Sequence, residues 1–211
     1  MKEEHVTETP EWQALQQLMP PALEPDLTVD WDRMRESWGT EFPADYRRFM
    51  EVYGPGTVQS YLVVQDPEPR GGPRRSQFGG MQHETANAER SWALASKSPE
   101  LAGSSPRLIA WGADSSADIL CWDASGTDPD AWPVLVLDRD EGLWSRYDCG
   151  MVEFLTRLLR AEFDECPLGD LSLWGRGSAV FLTVSEYQRR LEQGLDPWTG
   201  KPDPYAGSYG R

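Results

Sequence analysis

Four short apolar runs follow one another in RLIAWGADSSADILCWDASGTDPDAWPVLVLDRDEGLWSRY, residues 107–147. Polar turns rich in Asp, Ser and Gly separate the runs. Short strands joined by such turns are typical of an antiparallel meander. The stretch therefore predicts four consecutive strands, at 108–111, 117–122, 133–137 and 143–147.

Helices are predicted on both sides of this meander. The best-specified one lies in PADYRRFMEVYG, residues 43–54, which ends at Gly54 before a proline. Its apolar side chains recur at the spacing of one helix face, namely Tyr46, Phe49, Met50 and Tyr53. Earlier helices are predicted after Thr9, which can cap one, and over residues 31–38, and a later helix over 151–163 closes the meander.

The rest of the chain is predicted with less regular structure. Residues 57–64 are predicted as a strand, 65–82 as a loop, 84–97 as a weak helix and 179–184 as a strand. Thr183 and Glu186 have the spacing of a capping box, so a helix should follow to residue 194. The Pro- and Gly-rich tail, 195–211, is expected to be extended or disordered.

These patterns divide the chain into four parts. Residues 1–27 form an N-terminal helical extension and residues 28–166 the main domain. Residues 167–194 form a strand and helix packed on that domain, and 195–211 form the tail. No internal repeat is evident in the sequence.

Composition excludes several classes of protein. Thirty-five acidic and twenty basic residues give a net charge of −15, and 39% of residues are hydrophobic. A nucleic-acid-binding basic face is therefore not expected, and no apolar run approaches the roughly 18 residues of a membrane span. The polar start, MKEEH, is unlike a signal peptide, so we expect a cytoplasmic protein, either a monomer or a weak dimer.

The negative charge is concentrated on the meander and the segment after it. Between residues 111 and 170 there are fourteen acidic and four basic side chains, a net charge of −10. Two interpretations of this surface stay open: it serves solubility alone, or it is complementary to a basic protein. In the second case the charge would speed association, and added salt would weaken it.

The sequence lacks the common motifs of catalytic and metal-binding sites. It has no phosphate-binding glycine loop, no nucleophile elbow and only two histidines, His5 and His83. Three cysteines without a CxxC pair favour reduced, packed thiols over a disulfide framework or zinc site. A paired-carboxylate hydrolase using Asp114, Asp118 and Asp123 stays open as an alternative, but we expect no enzyme, catalytic residue, metal or cofactor.

The tryptophans are expected to divide into two groups. Trp31, Trp38, Trp111 and Trp122 lie in apolar patterns and are predicted to belong to the core. Trp132 and Trp144 flank polar turns, so partial exposure is expected for both. Exposed aromatic side chains are common anchors in protein interfaces.

Four motifs, in order along the chain, resemble the SUKH superfamily, which groups fungal cell-wall-synthesis regulators with bacterial toxin-immunity proteins. WGTEFPADYRRFMEVYG at 38–54 resembles its entry helix. LIAWGAD at 108–114, with DILCW at 118–122, is similar to its central strand pair. DAWPVLV at 130–136 and the helix that contains EFL at 153–155 complete the order, so the resemblance covers roughly residues 28–163.

The resemblance implies a fold and a function. The fold would be α+β, with helices wrapping a mostly antiparallel, mixed sheet of about five to six strands. The function would be protein binding, most often that of an immunity protein that neutralises a toxin, such as a nuclease delivered between competing cells. A regulatory or scaffold module of the same superfamily is the alternative.

We therefore predict that an acidic face binds a basic protein, namely a toxin domain. Two tryptophans would anchor the contact, and acidic residues between 114 and 141 would supply the charge. The predicted partner-binding residues are Asp114, Asp118, Asp123, Asp128, Asp130, Trp132, Asp138, Asp140, Glu141 and Trp144.

Overall fold

The structure, a computed structural model, describes residues 9–21, 28–68 and 80–204. Within these residues the chain forms six α-helices: α1 Pro10–Leu18, α2 Trp31–Trp38, α3 Ala44–Val52, α4 Gly80–Leu94, α5 Met151–Arg160 and α6 Val184–Glu192. The same residues form eight strands: β1 Gly56–Val58, β2 Leu62–Val64, β3 Ser96–Lys97, β4 Leu108–Asp114, β5 Ile119–Asp123, β6 Val134–Asp138, β7 Leu143–Tyr147 and β8 Phe181–Thr183. The predicted α+β class is confirmed.

The eight strands form one mixed, open sheet in the order β3-β7-β6-β5-β4-β2-β1-β8. Neighbouring strands are antiparallel except β3 and β7, which run parallel. The four central strands β4 to β7 are the meander that the sequence predicts. The expected five to six strands are too few.

Two features explain the larger number of strands. Residues 57–64 form a hairpin and not one strand, because the chain reverses at Gln59, whose φ is 52°. The two-residue strand β3 joins the sheet edge by pairing Ser96 with Leu143. A strand that short leaves no period in the sequence that could reveal it.

Alternating side chains of the sheet build two cores, one on each face. On the larger side, Trp122 lies 5.0 Å from Tyr46 of α3 and Trp111 lies 6.1 Å from Phe154 of α5, measured between ring centroids. On the other side, Cys121 and its neighbours pack beneath α4. The sheet is therefore a middle layer between two layers of helix.

Three helices of the larger layer begin close together, and each start is capped. The Thr9 hydroxyl accepts a hydrogen bond from the Trp12 N–H at the start of α1, as the sequence predicts. At the start of α3, the Ala44 N–H donates to Asp130 over 2.6 Å. Helix α5 begins with the Val152 N–H donating to Asp45 over 3.0 Å.

The C-terminal part of the described chain completes the sheet. Strand β8 pairs with β1 at the edge opposite β3. Thr183 accepts from the Glu186 N–H at 3.2 Å, which confirms the predicted cap of α6. Leu195 bridges to Pro202, and the rings of Trp198 and Tyr187 lie 5.9 Å apart. The tail therefore folds back as far as residue 204, where extended or disordered chain was expected.

Several predicted boundaries shift. Helix α4 begins four residues before the predicted start at 84, and α5 ends three residues before the predicted end at 163. Most of the loop predicted at 65–82 lies outside the described residues, as do residues 205–211 of the tail. None of the described helices has the length and apolar character needed to cross a membrane.

Candidate functional site

The predicted partner-binding residues lie at opposite ends of the central sheet. Asp114, Asp118, Asp138 and Asp140 gather where the β4–β5 and β6–β7 turns meet, and we call these four the turn cluster. Asp123, Asp128 and Asp130 follow the other end of β5. Strand β5 alone separates the two ends by about 14 Å. The acidic residues therefore form two surfaces and not one face.

The turn cluster is built around Asp118, whose side chain is fully buried. One carboxylate oxygen accepts from the Arg139 N–H and the other from the Gly169 N–H, both over 2.7 Å. Asp114 accepts from the Ser116 and Asp118 N–H groups at 2.9 Å. These bonds tie two turns of the sheet to the loop that follows α5.

Gly169 brings that loop against the carboxylates. A Cβ on this residue would lie 3.5 Å from Asp118 Oδ2, 3.6 Å from Asp140 Oδ2 and 3.7 Å from Asp138 Oδ1. The next residue, Asp170, accepts a 2.8 Å hydrogen bond from the Ser115 hydroxyl and so fixes the loop to the β4–β5 turn.

Burial sets the charge state of Asp114 and Asp118, which form the inner pair of the turn cluster. Burial, followed by the negative charge of Asp118, raises the pKa of Asp114 from 3.8 to about 7. Burial also raises the pKa of Asp118, although the N–H groups of Arg139 and Gly169 oppose the shift. Near neutral pH the inner pair therefore carries less than its full negative charge. Asp114 and Asp118 hold the turns together, and buried Asp118 offers nothing to a partner.

The outer residues of this end are available at the surface. Asp140 and Glu141 are exposed, and Asp138 is half-buried, with its carboxylate accepting from the Glu141 N–H at 2.9 Å. Within the described residues, no Lys or Arg forms an ion pair with any of the three. The described chain also contains no group of three or more His, Cys, Asp or Glu side chains arranged to hold a metal ion.

The opposite end of the sheet carries three of the predicted acidic residues and, beside them, a pocket that the sequence did not predict. Asp128 and Asp130 are exposed and Asp123 is half-buried. Beside them, residues from the starts of α1, α3 and α5 line a pocket of about 350 Å³, which we call the helix-end pocket. Asp45, on α3, is among the lining residues, and the sequence offers no signal for this role because the three helices are far apart along the chain.

The expected exposure of the two tryptophan anchors is wrong. Trp132 is 3% exposed, and its indole N–H donates to the Gly126 carbonyl over 2.9 Å. Trp144 is fully buried, with its ring 5.3 Å from that of Trp92 on α4. Trp144 lies on the face of β7 that α4 covers, so its nearness to a turn does not expose it. Burial of Trp111 and Trp122 confirms their predicted place in the core.

The cysteines are packed as the sequence predicts. Cys121 and Cys149 are buried, Cys166 is half-buried, and all three are unpaired. Burial raises the pKa of each thiol, with that of Cys149 reaching about 12. A thiol protonated at neutral pH is a poor nucleophile, so these side chains contribute packing.

Comparison of the chain with protein-family models, with curated protein sequences and with solved structures gave no match. The function of the protein is therefore inferred from the geometry of the two acidic ends of the sheet.

Proposed function

We propose that this protein is a non-catalytic binding domain that neutralises a basic protein, as an immunity protein does for its cognate toxin. The observation that carries the proposal is the set of exposed carboxylates without cationic partners among the described residues. Asp140 and Glu141 represent the set at one end of the sheet, and Asp128 and Asp130 at the other. The resemblance to the SUKH superfamily supports the same proposal.

The physical argument rests on complementarity. A nuclease must hold phosphates, so its active site carries positive charge. An acidic surface can cover such a site without chemistry of its own, and its field accelerates the encounter. Carboxylates fixed to sheet turns lose little conformational entropy on binding, because most of their backbone is already ordered.

Co-expression with the products of the neighbouring reading frames, searched for a basic toxin domain, tests the proposal. We expect the full chain to relieve toxicity and to co-purify with the basic domain as a stoichiometric complex. The double variant Asp140→Lys, Glu141→Lys should protect less. A matched control is Glu51→Lys, Glu192→Lys, which makes the same change of charge at exposed positions on α3 and α6. Equal loss in both variants would assign the effect to net charge alone, and an absence of any protection would refute the proposal.

A regulatory or scaffold role is the second candidate, favoured by the folded tail. Trp198 and Tyr187 line a separate cavity of about 290 Å³ beside β1 and β8. Deleting residues 195–211 removes one wall of that cavity and leaves the turn cluster intact. Loss of partner binding in a folded deletion variant would favour the scaffold role, whereas retained neutralisation would favour the immunity role.

A further inference from the structure

The helix-end pocket combines apolar walls with an acidic rim. Its volume of about 350 Å³ lies within the range of roughly 300–1,000 Å³ that is usual for ligand sites. Trp12, Trp122 and Trp132 belong to its lining, together with apolar side chains from α5 and the start of α3. The pocket therefore offers apolar surface to a long side chain that enters from solvent.

Among the described residues that line this pocket, four are acidic and one is basic. The acidic lining residues are Glu11, Asp45, Asp130 and Glu153, and the basic one is Arg48. Arg48 itself places its guanidinium 4.8 Å from the centre of the Trp12 ring. The pocket thus already accommodates one guanidinium on an indole face, an arrangement that is favourable when it is shielded from water.

Two of the carboxylates can accept further hydrogen bonds from a ligand. Asp130 is exposed and uses one oxygen, Oδ1, for the Ala44 N–H. Glu11 is exposed, and its side chain makes no hydrogen bond or ion pair within the described chain. By contrast, Asp45 uses both oxygens for the Tyr46 and Val152 N–H groups. The exposed pair therefore supplies acceptors at the rim, while the carboxylate of Asp45, whose pKa is raised by burial, is already taken up by backbone donors.

We propose that the helix-end pocket receives an arginine side chain presented by the basic protein partner. This inference rests on the proposed function and names the contact that the partner makes at this end of the sheet. The guanidinium meets the exposed carboxylates of Asp130 and Glu11 at the rim, and the methylene stem lies against the apolar surface beside them. Arginine suits the site better than lysine because its planar guanidinium forms paired hydrogen bonds with a carboxylate.

A peptide titration tests this contact without the partner. The probe is acetyl-Gly-Arg-Gly-amide, and binding to the full-length protein is followed by tryptophan fluorescence and calorimetry. We expect saturable binding in the millimolar range at low salt. The peptide with citrulline in place of arginine keeps the shape and loses the charge, and it should bind about tenfold more weakly. Equal binding of the citrulline peptide would overturn the proposal.

Variants of the rim provide the matched comparison. Glu11→Gln with Asp130→Asn removes two charges, and asparagine retains an oxygen for the Ala44 N–H. We expect this variant to bind the arginine peptide about tenfold more weakly. Glu51→Gln with Glu192→Gln removes the same charge at exposed positions on α3 and α6 and should bind the peptide as the parent protein does. Equal weakening in both variants would reject the pocket as the site.

The outcomes for the pocket and for the proposed function are separable. Failure of the peptide to bind, with the basic partner still captured, refutes the arginine contact and leaves the proposed function standing. Peptide binding without any neutralised or captured partner supports the pocket and refutes the proposed function. A lysine peptide that binds as tightly as the arginine peptide refutes the assignment to a guanidinium.

Discussion

Asp118 is the residue on which the turn cluster depends. It lies fully buried and accepts backbone hydrogen bonds from two segments, at Arg139 and Gly169. Hydrogen bonds to a charged group are worth about 1.5–3 kcal/mol each, and a donor left without its acceptor adds a penalty of its own. This side chain therefore stabilises the junction between the sheet and the loop after α5.

Replacement of Asp118 should be costly. Asp118→Ala leaves two N–H groups without acceptors, and we expect the free energy of unfolding to fall by about 3 kcal/mol. Urea denaturation followed by circular dichroism measures the change. Asp140→Ala, at an exposed neighbour in the same cluster, should change it by less than about 0.5 kcal/mol. Equal stability of the two variants would contradict the structural role of Asp118.

Asp114 makes stability depend on pH. Its pKa is raised from 3.8 to about 7, chiefly by burial, so the folded state holds the proton more tightly than the unfolded state. The stabilisation is complete below pH 3.8 and is lost as the pH rises through 7. Asp114→Asn mimics the protonated side chain and retains an oxygen for the same N–H donors. Relative to the parent protein, this variant should therefore be more stable at pH 8 than at pH 5.

Urea titrations of the parent protein and of Asp114→Asn at pH 5 and pH 8 measure this effect. The free energy of unfolding of the variant, relative to that of the parent protein, should be higher at pH 8 than at pH 5. Glu141→Gln provides the control, because it removes a carboxylate from an exposed position near the same turns. If the difference in the free energy of unfolding between Asp114→Asn and the parent protein is the same at pH 5 and pH 8, the proposed titration of Asp114 is refuted.

Among the elements, β8 depends on the close approach of Gly56. A Cβ at this position would collide with the Leu182 carbonyl and lie 2.8 Å from Cζ of Phe181. Strands β1 and β8 can pair in this register only while residue 56 has no side chain. The same contact brings Phe181 to the aromatic rings of α3, since its ring lies 5.4 Å from that of Phe49.

Gly56→Ala should therefore loosen the C-terminal edge of the sheet. We expect a loss of about 2–3 kcal/mol in the free energy of unfolding, together with faster amide exchange over residues 181–192. Gly126→Ala is the control, because a Cβ there would lie 3.6 Å from the Trp132 ring, an ordinary contact. Unchanged exchange at β8 in the Gly56 variant would show that the edge tolerates the methyl group.

A helix or strand can be predicted from the sequence when the pattern that specifies it lies within one short segment. Helix α3 and strands β4 to β7 are foreseen because their apolar periods lie within single segments. The hairpin at Gln59 and the pairing of β3 with β7 depend on a turn conformation and on a long-range partner, which no period reveals. The burial of Trp144 follows from strand alternation, because it pairs with Leu137 on the face covered by α4.

The candidate site is foreseen only in part for the same reason. The acidic character of the turns is visible in the sequence, but their separation onto two ends of the sheet requires the strand order. Asp45 and Glu11 belong to helices that meet only in the folded chain, so the helix-end pocket has no sequence signature.

At the scale of the whole molecule, the net charge of −15 governs the approach of a partner. Screening shortens the reach of this field to about 10 Å at 0.1 M salt and about 3 Å at 1 M. We expect association with the basic partner to slow about tenfold between low salt and 0.5 M salt. Dissociation should change much less, because it depends on contacts already formed.

Stopped-flow measurements at several salt concentrations test this expectation. The variant Asp140→Lys, Glu141→Lys should associate more slowly than the parent protein at low salt and approach its rate at high salt. A difference that persists unchanged at 0.5 M salt would mean that the two side chains make direct contacts and do not steer the encounter.

Strand β8 lies beside β1, although about 120 residues separate them along the chain. During synthesis the ribosome completes β1, β2 and the meander well before it makes Phe181. Until then the outer edge of β1 has no neighbour and can pair with another nascent chain. Production of this protein should therefore depend on chaperones that shield the growing polypeptide, and slow codons shortly before β8 would prolong its exposure to aggregation.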